Sequence, residues 1–228
     1  ADDIDSQTAL TLAQVQAEKL PEQPTDNYGY DAIGNLIKDT KEGISSIKWN
    51  VYGKIQSITK NGKMITYSYD AAGNRITKTV GDTVEIYVRD AAGNVMLTYQ
   101  KNAKVNSGHV STKEFYKYGS ALLGVKKKAI DMQVIAPKDG KGTVVRGEDE
   151  YYVQDHRGNV YASVSDKKLQ VDANADGIVD GYLPDIKSAQ DYSSSGVLLA
   201  NRKFGIMGRH GFNGKELENE VVQYDYGF

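Results

Sequence analysis

The 228 residues carry 28 Lys and Arg against 30 Asp and Glu, a formal net charge of -2. So balanced a chain has no field to draw in nucleic acid or an anionic membrane surface, and neither partner is expected. The absence of cysteine removes disulfides, thiolate chemistry and Cys-based zinc sites together.

Residues 1 to 27 form a polar arm or short helix, with Ser6 as an N-cap, a helix-favouring run from Thr8 to Leu20, and Pro21 and Pro24 as stops. Neither a basic start nor an apolar signal core is visible in the first 20 residues, and no apolar run is long enough to span a bilayer. The chain opens on Ala1-Asp2-Asp3 and ends in Tyr224-Asp225-Tyr226-Gly227-Phe228, and it is expected to be a piece of a longer protein.

From Tyr28 the period changes to two. Met64 to Tyr69 puts Ile65, Tyr67 and Tyr69 on one face and Thr66 and Ser68 on the other, the pattern of a half-buried strand. Arg75 to Val80, Thr83 to Val88 and Asn94 to Tyr99 read the same way. Sixteen tyrosines against four phenylalanines suit such surfaces, because a tyrosine ring packs inward while its hydroxyl finds water or a backbone group.

A motif punctuates these strands. Tyr30-Asp31-Ala32-Ile33-Gly34-Asn35, the degenerate Trp49-Asn50-Val51-Tyr52-Gly53-Lys54, Tyr69-Asp70-Ala71-Ala72-Gly73-Asn74 and Arg89-Asp90-Ala91-Ala92-Gly93-Asn94 place their acid or amide at 31, 50, 70 and 90. Steps of 19, 20 and 20 residues mark a repeat architecture. Gln154-Asp155-His156-Arg157-Gly158-Asn159 is a fifth copy, out of step. In each, the Asp accepts backbone N–H bonds ahead of it and the glycine supplies a positive φ, which predicts a type I turn with a bulge. Asn61-Gly62 and Gly81-Asp82 predict tight turns at the opposite strand ends, so the product is an antiparallel meander over residues 28–125.

Beyond Tyr99 the spacing breaks. Strand pairs are expected over Lys113 to Val125 and over Val134 to Arg146, with Lys126-Lys127-Lys128 on a solvated edge. Asp172-Ala173-Asn174-Ala175-Asp176-Gly177-Ile178-Val179-Asp180 matches the first nine places of an EF-hand-like calcium loop. Asp172, Asn174, Asp176 and Asp180 would offer side-chain oxygens and Ile178 a carbonyl, while Leu183 stands where the bidentate glutamate belongs, leaving Asp185 or water to complete the shell. The other reading is a surface loop whose side chains cap their own backbone. His109, His156 and His210 show no metal-binding spacing, Ser193-Ser194-Ser195-Gly196 reads as a loop, and no catalytic set is assigned.

The Tyr-Asp-x-x-Gly-Asn copies and their step resemble the YD repeats of the bacterial RHS family and of the animal teneurins. Tyr151 to Val160 looks like the opening of the RHS-associated core domain, and Gly211-Phe212-Asn213-Gly214-Lys215-Glu216 with Gln223 to Phe228 is similar to its later stretch. The resemblance covers roughly residues 28 to 228, with the core region taken as 126–228. It implies an all-β chain whose hairpin repeats form a curved sheet strip of a hollow shell around a C-terminal toxin or effector. The implied protein is secreted or held on a bacterial cell surface. Its partners would be the remainder of its own parent chain, an encapsulated toxin domain and secretion machinery. Two alternatives stand beside this non-catalytic role: a cell-surface adhesion or glycan-binding module, and part of an aspartyl-type autoprotease whose motif lies downstream.

Overall fold

The computed structural model describes residues 26–134, 144–218, 220 and 223–225; the expected N-terminal helix and most of the Val134 to Arg146 strand pair lie outside them. Sixteen strands follow one another: β1 (Tyr28–Tyr30), β2 (Leu36–Asp39), β3 (Ile44–Trp49), β4 (Ile55–Lys60), β5 (Lys63–Tyr69), β6 (Arg75–Val80), β7 (Thr83–Arg89), β8 (Val95–Asn102), β9 (Val110–Tyr118), β10 (Leu122–Lys127), β11 (Asp149–Gln154), β12 (Val160–Val171), β13 (Gly181–Tyr192), β14 (Leu198–Gly205), β15 (Glu216–Glu218) and β16 (Gln223–Asp225). Among the described residues β1 to β14 form one antiparallel sheet in chain order, open at both ends, and β15 and β16 pair separately. The chain is all-β, as its period-two pattern requires. No helix among the described residues is long and apolar enough to cross a membrane.

The repeat motif closes one edge of this sheet. Asp70 Oδ1 accepts the backbone N–H groups of Ala72 (2.9 Å) and Asn74 (2.8 Å), the Gly73 N–H donates to the Asp70 carbonyl, and Gly73 sits at φ 84°. The register slips between Ser68 and Tyr69, which is the expected bulge. The motif's asparagine has a role of its own, because Asn74 Nδ2 donates to the second Asp70 oxygen at 3.1 Å. Asp31, Asp90 and Asp155 repeat the whole set. In the degenerate copy Asn50 keeps both backbone bonds, while Lys54 stands where the amide would be. At the other edge Lys60 pairs with Lys63 and Val80 with Thr83 across two-residue turns, and Asn61 and Gly62 both take positive φ, the I′ geometry that matches strand twist.

One face of the sheet is buried. Over β3 to β5 it is aliphatic: Ile44, Ile47, Ile58, Ile65 and Tyr67 cluster there, with Leu36, Trp49, Ile55, Tyr69 and Val80 packed against them. Further along, the same face turns polar. Tyr67 stands opposite Lys78, Lys78 opposite Glu85, Thr98 opposite Glu114, Glu114 opposite Lys127, and Val125 opposite Glu150. The buried positions of β12 and β13 mix Val160 and Tyr192 with Ser163, Ser165, Ser188 and Gln190, Ser163 facing Ser188 at 3.0 Å between hydroxyl oxygens.

Lys126, Lys127 and Lys128 are not on an edge. β10 pairs with β11, so Lys126 reaches Glu148 and Asp149, Lys127 reaches Glu150 at 2.5 Å and Lys128 reaches Glu148. The basic run has an acidic run, Glu148-Asp149-Glu150, as its neighbour, a pairing that separation in the sequence conceals.

Candidate functional site

The charged face is closed by the chain's own C-terminal segment. After β14 the backbone turns back across the sheet: the Val160 N–H donates to the Gly211 carbonyl at 3.1 Å, and the Asn213 N–H donates to Asn159 Oδ1 at 2.8 Å. The repeat-type turn at Asp155 to Asn159 therefore holds the Gly211-Phe212-Asn213-Gly214 stretch, and Leu217 bonding back to the Arg209 carbonyl at 2.7 Å folds the segment on itself.

Arg209 enters the middle of the face. Its guanidinium pairs with Glu85, with Glu114 at 3.0 Å and with Glu216 at 2.6 Å, and donates to the Tyr87 hydroxyl at 2.8 Å; its side chain is 9% exposed. Arg75 pairs with Glu218, and Lys78 bridges Glu218 (2.5 Å) and Glu220 (2.6 Å). Sheet and segment thus exchange charges in both directions. Taking charges out of water is costly, so such a set holds together only when every member is matched. The ionisations follow: burial lowers the Arg209 pKa, but Glu216 and its other partners raise it further. Burial likewise pushes Glu216 up, but Arg209 and Arg75 bring it below its ordinary value. Burial, then Glu216, raises the Tyr87 hydroxyl, which stays protonated and donates to Glu216 at 3.0 Å.

His210, beside Arg209, is wedged between Tyr116, edge-on at 5.6 Å, and Tyr152, whose hydroxyl lies 3.2 Å from Nδ1. Burial lowers its pKa to about 4. The sequence assigns no role to His210 or Arg209, because their partners lie on β7, β9 and β11, far along the chain.

The calcium-like loop occupies a different place. β12 and β13 outrun their neighbours: β11 reaches only Ser165 and β14 only Ser188, so Lys168 to Val171 and Gly181 to Pro184 pair with each other alone among the described residues. Residues 172–180 cap this free-standing ribbon. Asp172 accepts the Asp176 and Gly177 N–H groups, Asn174 that of Asp176, Asp176 that of Ile178 at 2.7 Å, and Asp180 that of Ala173 at 2.8 Å. The loop therefore gathers the five residues into one turn, with the side-chain oxygens of Asp172, Asn174, Asp176 and Asp180 on its own amides. Asp185 lies elsewhere, bonded to Ser165 and Lys187 at 2.7 Å each, and Leu183 faces Leu169. No group of three or more His, Asp or Glu side chains is placed to hold a metal ion among the described residues.

Asp70, Asp90 and Asp155 are turn residues, and His156 sits exposed in the last of these turns. His109 pairs with Asp131 at 2.9 Å, and Ser193 to Gly196 form a tight turn.

No protein-family model matches the chain, and no curated protein matches it. Among solved structures, the crystal structure of TcdB2-TccC3-TEV is similar at 15% identity and a TM-score of 0.49, over 82% of this chain and 8% of that one. The crystal structure of TcdB2-TccC3-Cdc42 is similar at 15% identity and a TM-score of 0.40, over 75% of this chain and 9% of that one. The chain spans less than a tenth of either, and at these scores neither likeness bears on its family, activity or partners.

Proposed function

We propose that this chain is a non-catalytic wall segment of a large exported RHS/YD-repeat protein, secreted or held at a bacterial cell surface, whose shell encloses or presents a C-terminal toxin or effector. The observation that carries the reading is the sheet itself. Among the described residues fourteen strands run in chain order with a free edge at β1 and another at β14, and one face is buried while the other meets solvent. Free edges pair with any strand offered, so such a strip is suited to continuation by further strands of its own chain. The repeat turns set the strand length, and the sequence resemblance supplies the shell and its cargo.

Electron cryo-microscopy of the complete protein containing this sequence tests the proposal. The expected result is a hollow β-shell in which β1 and β14 each pair with a further strand and the Ile44 and Arg209 face points inward. A solid rod, or a sheet whose edges both end in solvent, would overturn it. Calcium at residues 172–180 is a separate proposal, supported by the ligand spacing of Asp172, Asn174, Asp176, Ile178 and Asp180.

A further inference from the structure

The turns at Gly73 and Gly93 stand side by side on one edge of the sheet, and the segment carrying His210 and Lys215 passes beside them. Between them lies a cleft of about 340 Å³ whose walls include Tyr69, Arg75, Arg89, Tyr116, Tyr118 and Lys215. Arg89 is the unusual member. The other cations that pair on this face each have a carboxylate: Arg75 and Lys78 have Glu218, Lys113 has Glu85, Lys127 has Glu150, and Arg209 has three. Arg89 has no ion pair among the described residues. Its Nε donates to the Arg75 carbonyl at 3.2 Å, its Nη1 donates to the Gly93 carbonyl at 2.8 Å, and its guanidinium lies 5.8 Å from the Tyr87 ring centre.

Those two carbonyls fix the plane of the guanidinium and leave Nη2 undirected. The acids in the neighbourhood are engaged: Asp70 and Asp90 hold their own turns with both oxygens, and Glu216 holds Arg209 and the Tyr87 hydroxyl. Tyr69 and Tyr118 donate their hydroxyls to the Ile55 and Val95 carbonyls, presenting ring surface rather than donors. Lys215, exposed and lining the same cleft, likewise has no ion pair among the described residues. A half-buried guanidinium fixed by two carbonyls and an exposed ammonium lining the same tyrosine-walled cleft form a receptor for a planar or tetrahedral oxyanion.

We propose that this cleft binds a carboxylate or phosphate group, anchored by Arg89 and assisted by Lys215. The group comes either from a small organic anion or from an acidic peptide segment. Its binding is independent of the wall-forming role, since a wall needs no ligand here.

The test is titration of the chain with inorganic phosphate, with succinate and with a tetraglutamate peptide, following the ¹⁵N-labelled Arg89 Nε–Hε resonance. Saturable shifts are expected in the millimolar range of added anion. Tighter binding of the peptide than of succinate identifies the peptide source; comparable binding identifies the small anion. Arg89→Gln should weaken binding about tenfold or more and Arg89→Lys less, because the charge remains. Arg89→Gln also removes carbonyl bonds, so Lys215→Gln is the control that leaves the fold intact, and a loss of about threefold is expected from it. Absence of any saturable shift in the unaltered protein, or binding unchanged in both Arg89→Lys and Lys215→Gln, would overturn the proposal.

Discussion

The buried face changes character halfway along the sheet. Over β3 to β5 it is closed by Ile44, Ile47, Ile58 and Ile65, whose burial is non-directional and needs only volume and alternation. Over β6 to β9 the same face carries Lys78, Glu85 and Glu114, which meet opposite charge in Glu218 and Arg209 from the far end of the chain, while Glu150 on β11 pairs with Lys127 of β10. The aliphatic half tolerates approximate fit. The ionic half does not, since a charge left behind without its partner is worse than no charge at all.

The sharpest way to separate the halves is Arg209→Met. Removing this guanidinium leaves Glu85, Glu114 and Glu216 crowded together, and a loss of about 3–5 kcal/mol is expected from urea unfolding. Replacing Arg209, Glu85 and Glu114 together by apolar residues of similar size should recover most of it. In the aliphatic half, Ile65→Ala should cost about 2–5 kcal/mol through the cavity it opens, and Ile58→Val about 0.5–1.5 kcal/mol. No second substitution far along the chain should rescue either.

Acid should strike the ionic half first. His210 stays neutral down to about pH 4, whereas an unfolded histidine takes its proton near 6.5. As pH falls through that window the unfolded chain binds a proton that the folded one refuses. Stability therefore drops from pH 6.5, by up to about 3 kcal/mol, and this contribution levels off below pH 4. Glu216, held below its ordinary value, adds a further loss as pH falls below 4.5. In His210→Gln the decline above pH 4.5 should vanish from a series of denaturation midpoints; an unchanged slope would remove His210 as its cause.

The smallest expected effect lies outside both halves, at the ribbon tip. Calcium bound at residues 172–180 should raise the thermal midpoint by roughly 2–4 °C for each kcal/mol of binding free energy, reversed by chelator and absent in Asp176→Ala. A midpoint indifferent to calcium would leave the loop as a self-capped turn.

These halves differ equally in how much of them can be read from sequence. Asp70 and Gly73 announce a turn because turn chemistry is local: every partner lies within four residues. Ile65, Tyr67 and Tyr69 announce a buried face because alternation is local too. The side-chain bond from Asn74 to Asp70 is equally short in range, and the constancy of asparagine after the glycine was its signal. Lys126 to Lys128 mislead because an acidic run on the next strand cancels them. Arg209 and His210 carry no local pattern, since their meaning lies in Glu85, Glu114, Tyr116 and Tyr152, and only sheet register brings those to one place.

A double-mutant cycle tests the closure of the charged face most directly. Arg209→Met, Glu114→Gln and the pair together, measured by equilibrium unfolding, should show a coupling above about 1 kcal/mol, as residues in one buried network do. Costs that add to within about 0.5 kcal/mol would mean that Arg209 does not sit against Glu114, and that the C-terminal segment does not close this face.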